Sequence, residues 1–339
     1  MATRSSEQSA ARQQGLLSML ADGKFHSGEK LAAKLKVSRS AVWKLIRTLR
    51  LLGIEVQAVP KQGYRLPRPV DVYDAKTILE GMPRALRARL EQLHVLLQVD
   101  STNRFLSERA APEIDQAKVC VAEVQTMGKG RRGRTWVAPF GSGICLSLSF
   151  KFAESPPQLS ALGLGVGIAL LRVLDQFGAT EVGLKWPNDV VWRGRKLAGI
   201  LIEVAGEAGG PTRVVIGVGL NVHMPVPVRL ALAEQQAALI ADLGEILQGL
   251  LPDRNQLAAA LIEHLIAVLD EFALRGFAAF VAEWRSRDAL ANAAVKVLAG
   301  NETLQGTALG VTDDGALLVD VRGERRQFFS AEVSLRAVK

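Results

Sequence analysis

Three glycines and four cations fill seven consecutive positions, Gly128-Lys129-Gly130-Arg131-Arg132-Gly133-Arg134, and Thr135-Trp136 follows. Glycine lets a backbone come close to a ligand. Guanidinium groups grip carboxylate and phosphate in bidentate fashion. The run therefore predicts an anion cradle. It is not a P-loop, because no Gly-Lys-Ser/Thr ends it. A segment this basic repels itself, which predicts a loop that moves until an anion neutralises it. An exposed RNA-binding loop or a linker has the same composition, but the position between two buried, strand-like runs argues against a linker.

A second group is Lys185-Trp186-Pro187-Asn188-Asp189, directly after a strand-like run. Pro187 stops strand pairing. The turn presents an ammonium, an amide and a carboxylate together. Asp189 is the kind of hard oxygen ligand that helps hold Mg²⁺ beside phosphates. The competing reading is a plain hairpin turn, with Asn and Asp as turn formers. Lys196 stands at the start of another strand, where a lysine is either a working charge or a solvated edge. Asp100-Ser101-Thr102-Asn103 precedes a helix and either caps it or offers hydrogen bonds to a ligand. Gly217-Val218-Gly219-Leu220-Asn221 ends a buried strand, and glycines there mark a bulge or close contact with a flat ligand. The four histidines, His26, His94, His223 and His264, show no metal-binding spacing.

These residues need a scaffold, and its outline is legible. Residues 12–66 read as three helices and a hairpin. Ser27 caps Gly28–Leu35, and Ser38 caps a helix running to Arg50. In that helix Val42, Leu45, Ile46 and Leu49 share one face. Arg39, Ser40, Lys44, Arg47 and Thr48 lie opposite. The two-residue turn Lys36–Val37 gives helix-turn-helix spacing. The runs Ile54–Val59 and Gly63–Leu66, joined by Pro60-Lys61-Gln62-Gly63, resemble the wing of a winged helix. Ser38, Arg39, Ser40, Lys44, Arg47 and Lys61 would then face DNA, with the cations on phosphates. A small helical interaction domain with a solvated basic face is the alternative.

Prolines and polar residues mark a linker over 67–73. Residues 74–290 form a central segment. Strands are predicted at Val119–Gln125, Ile144–Phe152, Val182–Lys185, Val190–Trp192, Leu197–Val204 and Val214–Val222. Helices are predicted near Ala75–Glu80, Arg84–Leu90, Asn103–Ala110, Gln158–Phe177, Gln256–Leu274 and Gly276–Asp288. Strict alternation is absent, which favours an α+β mixed sheet over a doubly wound one. Residues 291–339 carry short strands at Ala294–Leu298, Thr303–Leu309, Ala316–Val321 and Gln327–Phe329, with turns at Gly300-Asn301 and Asp313-Asp314-Gly315. They predict a small SH3-like β-barrel.

Charge sharpens this division. Residues 1–66 hold twelve Lys and Arg against four Asp and Glu, while the other 273 residues hold thirty of each. A basic module on a neutral body suggests that the module meets a polyanion. Two cysteines, Cys120 and Cys145, cannot make a disulfide framework. Both sit in apolar strands, which suits a reducing cytoplasm. Residues 1–15 lack the apolar core of a secretory signal. The longest uncharged apolar stretch, Leu159–Leu171, is short of the roughly 20 residues that span a bilayer. No membrane role is expected.

In order along the chain, these features closely resemble the bacterial biotin protein ligases, in the bifunctional form that is also the biotin operon repressor. The matching motifs are DSTN at 100–103, EVQTMGKGRRGRTW at 123–136, KWPND at 185–189, RKLAGIL at 195–201 and IGVGLNV at 216–222. The N-terminal HSGEKLAAKLKVSRSAVWKLIRTL and the C-terminal GALLVD and AEVSLR fit the same arrangement.

The resemblance implies ATP, Mg²⁺ and biotin, formation of biotinyl-5′-AMP, and transfer to a lysine of a biotin carboxyl-carrier domain. It places Ser101, Thr102, Asn103 and Gln125 around the biotin rings. Lys129, Gly130 and Arg131 would hold the carboxylate and then the acyl phosphate. Lys196, Arg131 and Lys185 would supply catalytic charge. Arg132, Arg134, Trp136, Asn188, Asp189, Asn221 and Arg336 would serve ATP, with Asp189 also toward Mg²⁺. It further implies operator DNA as a partner and a homodimer once biotinyl-5′-AMP is bound. One departure is visible. The family's usual loop has arginine where this chain has Lys129, which keeps the charge and loses the bidentate fork. A lipoate-type ligase and a biotin-sensing DNA-binding regulator without ligase activity are the alternatives.

Overall fold

The computed structural model describes the backbone of residues 4–206, 210–236, 239–299, 302–329 and 333–337. The expected turn Gly300-Asn301 lies outside that set.

The N-terminal unit begins with three helices, α1 (Arg4–Leu20), α2 (Gly28–Leu35) and α3 (Arg39–Leu51). Ser27 accepts the amide of Lys30 and Ser38 accepts that of Ala41, so both predicted caps form. The wing is β1 (Gln57–Val59) and β2 (Gly63–Arg65), shorter than its apolar pattern suggested. Residues 54 and 56 explain the difference. Ile54 and Val56 are spent on the helical core beside Leu16, Leu17, Leu31, Val42, Ile46 and Leu49.

That core does not stop at the wing. It takes in Leu97 from the central unit, and Val70, Val72 and Phe140 pack against it. The stretch 67–73 is pinned from Val70 onward. Val70 donates its amide to Ala21 O at 2.9 Å, and Tyr73 is 1% exposed.

Next come α4 (Ala75–Glu80), α5 (Arg84–Arg87), β3 (Leu90–Val99), α6 (Thr102–Ser107), β4 (Ala117–Gln125), β5 (Gly143–Phe152) and α7 (Leu162–Gln176). The strands β6 (Gly183–Lys185), β7 (Asp189–Trp192), β8 (Arg195–Gly206) and β9 (Thr212–Asn221) follow. Then come α8 (Val226–Gln236), α9 (Leu243–Ile246), α10 (Arg254–Arg275) and α11 (Val281–Ser286). The sheet order is β3-β4-β5-β9-β8-β7-β6. Only the β3–β4 pair is parallel, so the sheet is mixed, as expected.

Strand β3 escaped the sequence reading. It is an edge strand, mostly half-exposed, and its run LEQLHVLLQV lacks clean alternation. Leu90 belongs to it, and α5 ends three residues earlier than the helix expected over Arg84–Leu90. Helix α6 spans Thr102–Ser107 and stops short of the predicted Ala110. The long helix expected over Gly276–Asp288 divides into a 3₁₀ turn, Gly276–Ala279, and α11, with Phe280 (φ −112°, ψ −9°) between them, while the positive φ of Gly276 ends α10.

The two sheet faces differ in kind. Ile144, Leu146 and Leu148 of β5, Ala198 and Ile200 of β8, and Ile216, Val218 and Leu220 of β9 point into the main core with α7 and α10. The alternate residues Cys145, Ser147, Gly199, Gly217 and Gly219 point to the other side, which is covered by α6. The stretch Leu159–Gln176, which runs past the uncharged Leu159–Leu171 to include Arg172 and Asp175, is long and apolar enough to cross a membrane by length and composition alone. It is 67% buried and packs on α10 in the core.

The C-terminal unit is a five-stranded antiparallel sheet of β10 (Ala294–Ala299), β11 (Glu302–Val311), β12 (Leu317–Val321), β13 (Glu324–Phe328) and β14 (Val333–Ala337), in the order β13-β12-β11-β10-β14. The final strand was not anticipated.

A buried ion pair joins the segments. Arg254 Nη2 donates to Glu123 Oε2 at 2.6 Å, with side chains 4% and 1% exposed. Burial, the largest single influence, opposes the Arg254 charge, but Glu123, Tyr73 and Asp71 together outweigh it and hold the guanidinium above its ordinary pKa. Arg254→Ala would strand a buried carboxylate. It should cost about 3–5 kcal/mol, read from urea unfolding, and much of that should return when Glu123 is also made apolar. Burial likewise pushes the Cys145 thiol up to about 12 and raises that of Cys120. Thiolate is the reactive form. Iodoacetamide at pH 8 should therefore leave both thiols unlabelled in the native protein and label both in denaturant.

Candidate active site

The site is built on the sheet face that lacks large side chains. Register aligns Asp189 of β7 with Gly199 of β8, Gly199 with Gly219 of β9, and Gly219 with Cys145 of β5. Two residues along, Leu201, Gly217 and Ser147 form the next row. The glycines make a floor that other groups approach closely. A Cβ on Gly219 would come within 2.2 Å of the Trp136 ring, and one on Gly217 within 2.2 Å of Asn103 Oδ1. The sequence left a bulge or close contact open at these glycines. The strands are regular there, so close contact is what requires them.

Helix α6 supplies one wall. Ser101 is buried and caps it, accepting the amide of Arg104. Thr102 donates its amide to Gln125 Oε1 at 2.8 Å, and its hydroxyl lies 3.1 Å from the same oxygen. Ser147 Oγ stands 2.7 Å from Thr102 Oγ1 and 2.6 Å from Asn103 Oδ1. Asn103 Nδ2 reaches Glu203 Oε2 at 3.2 Å and Leu201 O at 3.4 Å. The Asn103 amide is thus engaged by the protein itself and holds α6 onto β8. Ser147 and Glu203 were not singled out from the sequence. Their signal was the alternation of polar residues on otherwise apolar strands.

The glycine-arginine loop supplies the lid. Trp136 N donates to Gly128 O at 2.9 Å, and Gly130 N donates to Arg134 O at 2.7 Å. A 3₁₀ turn over Arg131–Gly133 closes the loop, with Arg132 at φ +58°. These bonds give a basic run a defined path. They also sort its cations. Arg131 turns inward and is half-buried, while Lys129, Arg132 and Arg134 are exposed. Burial lowers the Arg131 pKa, Asp189 opposes that shift, and Arg134 and Arg132 add to it. Such a guanidinium gains from an anionic partner.

The KWPND turn meets this loop. Arg131 Nη1 lies 3.4 Å from Asn188 Oδ1, and Asn188 Nδ2 donates to Ile200 O at 2.8 Å. Lys185 and Asp189 face each other across the β6–β7 hairpin. Lys196 Nζ is 2.6 Å from Asp189 Oδ1 and 5.7 Å from the centroid of the Trp136 ring. Both open readings of this turn therefore apply. It is a hairpin, and it gathers charge.

Lys196, Asp189, Asn188, Arg131 and Trp136 thus come together over the glycine floor. Asn221 is buried at the end of β9, where its amide ties Lys196 O to Ala241 O. The backbone of Arg336 pairs with Lys296; its side chain is outside the described residues. In the N-terminal unit, Ser38, Arg39, Ser40, Lys44 and Arg47 are exposed along α3, and Lys61 is exposed at the wing turn. Arg39 is partly engaged by Glu29 at 3.2 Å.

Comparison with known proteins places this arrangement. Residues 95–221 match the Biotin/lipoate A/B protein ligase family, residues 12–65 an HTH domain, and residues 292–336 the Biotin protein ligase C terminal domain. The chain is 38% identical over 324 residues to the bifunctional ligase/repressor BirA of Escherichia coli, covering 96% of this chain and 97% of that one. The biotin--[acetyl-CoA-carboxylase] ligase of Mycobacterium tuberculosis is 37% identical over 266 residues, 76% of this chain and 93% of the other. The biotin protein ligase of Aquifex aeolicus, solved in complex with biotin and ATP, superposes with a TM-score of 0.60 at 26% identity over 73% of this chain and 100% of that one. The chain belongs to the biotin protein ligase family, in its bifunctional ligase/repressor form.

Proposed function

We propose that this chain attaches biotin to a carrier-domain lysine at the expense of ATP and binds operator DNA through its winged helix. The observation that carries the reading is the convergence of Lys196, Asp189, Asn188, Arg131 and Trp136 beside the Thr102–Gln125 pair. In the first step a biotin carboxylate oxygen bonds to the α-phosphorus of ATP. The bond to the β-phosphate bridge breaks, and pyrophosphate leaves biotinyl-5′-AMP. In the second step the neutral carrier lysine attacks the acyl carbon. The bond to phosphate breaks, AMP departs, and the new amide sheds a proton.

The chemistry explains the residue types. Carboxylate and polyphosphate repel each other, so fixed cations must neutralise both and stabilise charge at phosphorus. Arg131, with Lys129 and the Gly130 backbone, would hold the carboxylate and then the acyl phosphate. Lys196 would lie beside the reacting oxygens, already oriented by Asp189. Lys185, paired with Asp189 across the hairpin, would add catalytic positive charge. Ser101, Thr102, Asn103 and Gln125 form the polar end of the biotin pocket, with Asn103 shaping it more than touching ligand. Trp136 covers the glycine floor and would keep water from the adenylate. Asn188, Asn221, Arg132, Arg134 and Arg336 are assigned to the nucleotide.

Among the described residues, no three His, Cys, Asp or Glu side chains could hold a metal ion together. Asp189 alone suits Mg²⁺, which takes one or two carboxylates and otherwise rides on substrate phosphates. The ion supplies charge neutralisation when bound. The acceptor would be a biotin carboxyl-carrier domain such as that of acetyl-CoA carboxylase, and the setting the cytoplasm.

Incubation with biotin, Mg-ATP and a biotin carrier domain should add one biotinyl mass to the carrier. Arg131→Ala should slow that gain by about 10²–10³-fold. Biotin binding with no mass gain would make the chain a sensor and overturn the ligase reading.

We also propose a homodimer, formed through the central sheet once biotinyl-5′-AMP is bound, that sets two winged helices on two half-sites. Sedimentation should then shift toward dimer, and DNA retention should rise, when biotin and ATP are added together. Unchanged DNA affinity would break the link between adenylate and repression.

A further inference from the structure

Helix α3 carries an outward stripe of Ser40, Trp43, Lys44 and Arg47, spaced i, i+3, i+4 and i+7, and all four are exposed. The buried Val42, Ile46 and Leu49 lie on the opposite face. Three members of the stripe are polar or cationic, as a DNA-facing surface requires. The fourth is a tryptophan, 54% exposed. Tryptophan is among the side chains with most to gain from burial, yet the winged-helix core is assembled from aliphatic residues without it. Among the described residues, the ring of Trp43 meets Arg47, whose guanidinium carbon lies 5.9 Å from the ring centroid, at the outer limit for a cation–π pair. Among the described residues of the unit, nothing in the fold explains the tryptophan.

We propose that Trp43 is a base-reading residue that makes apolar contact with the 5-methyl group of a thymine in the major groove. Thymine at that position is then part of the half-site. The proposal rests on the DNA-binding reading above. The N-terminal half of a recognition helix is the part that reaches base edges, and Trp43 is the fifth residue of α3. The thymine methyl is the apolar feature that the major groove displays. Lys44 and Arg47, on the same stripe, would fix the register on phosphates. An indole has only two side-chain torsions to lose on binding, so it pays little entropy for the contact.

The test uses the full chain with biotin, ATP and Mg²⁺, and duplex DNA selected from a random pool. Wild type should select half-sites with a fixed thymine. Replacing that thymine by uracil, which lacks only the methyl, should weaken wild-type binding about fourfold. Trp43→Ala should bind more weakly and be indifferent to the exchange, while Trp43→Phe should keep part of the methyl effect. Unfolding midpoints of both variants should match wild type, since the residue is exposed. Two outcomes overturn the assignment while leaving DNA binding intact. One is an unchanged half-site preference in Trp43→Ala; the other is a wild type blind to uracil. Selection of no DNA by wild type would overturn both readings together.

Discussion

The Arg254–Glu123 ion pair ties together parts of the chain that are far apart in sequence. Charges this deeply buried are tolerable only when their remaining donors and acceptors are satisfied. Here they are. Glu123 Oε1 accepts the Tyr73 amide at 2.7 Å, and Arg254 donates to Asp71 O at 2.6 Å and Gly143 O at 3.1 Å. Tyr73 and Asp71 belong to the strap that follows the winged helix. Gly143 begins β5, just after the basic loop. Glu123 stands two residues before Gln125, which grips Thr102. One pair therefore fixes the strap, the exit of the loop and the strand end that holds α6. Its value lies in defining a single arrangement more than in net stability.

The sheet above that pair is asymmetric by design of its side chains. One face carries branched and aromatic residues and packs on α7 and α10. The other carries Cys145, Ser147, Gly199, Gly217 and Gly219, and it stays thin enough for Asn103 and Trp136 to lie against backbone. A single β-branched residue at Gly217 or Gly219 would fill the space that these groups occupy. The basic loop can then bring Arg131 to the same floor while its other cations face water.

The KWPND hairpin has a third role beyond turning the chain and gathering charge. Trp186 is 2% exposed, and its Nε1 donates to Gly315 O at 3.2 Å. Gly315 sits at the turn before β12, where a Cβ would meet that of Ala161 at 2.5 Å. Arg285 adds bonds to Val311 O and Asp313. The C-terminal sheet is thereby docked beside the turn that holds Asn188 and Asp189.

Much of this was determined locally and so was readable. Ser27 and Ser38 cap helices by bonding amides three residues away, and the alternation of β5, β8 and β9 marks their buried face. The basic run, the KWPND turn and the uneven charge are statements about composition and spacing, which survive without coordinates. Strand β3 was not readable, because its run LEQLHVLLQV lacks clean alternation and its place is set by pairing with β4, a distant segment. Nor could spacing say which of four loop cations turns inward. The inward-turned Arg131 meets Asn188, 57 residues away in the chain, and feels the charge of Asp189 beside it. The pairing of Lys196 with Asp189, the engagement of Asn103 by Ser147 and Glu203, and the Arg254–Glu123 clamp are all contacts between distant segments. A sequence fixes which groups are present and their local turns; only tertiary packing decides which of them meet.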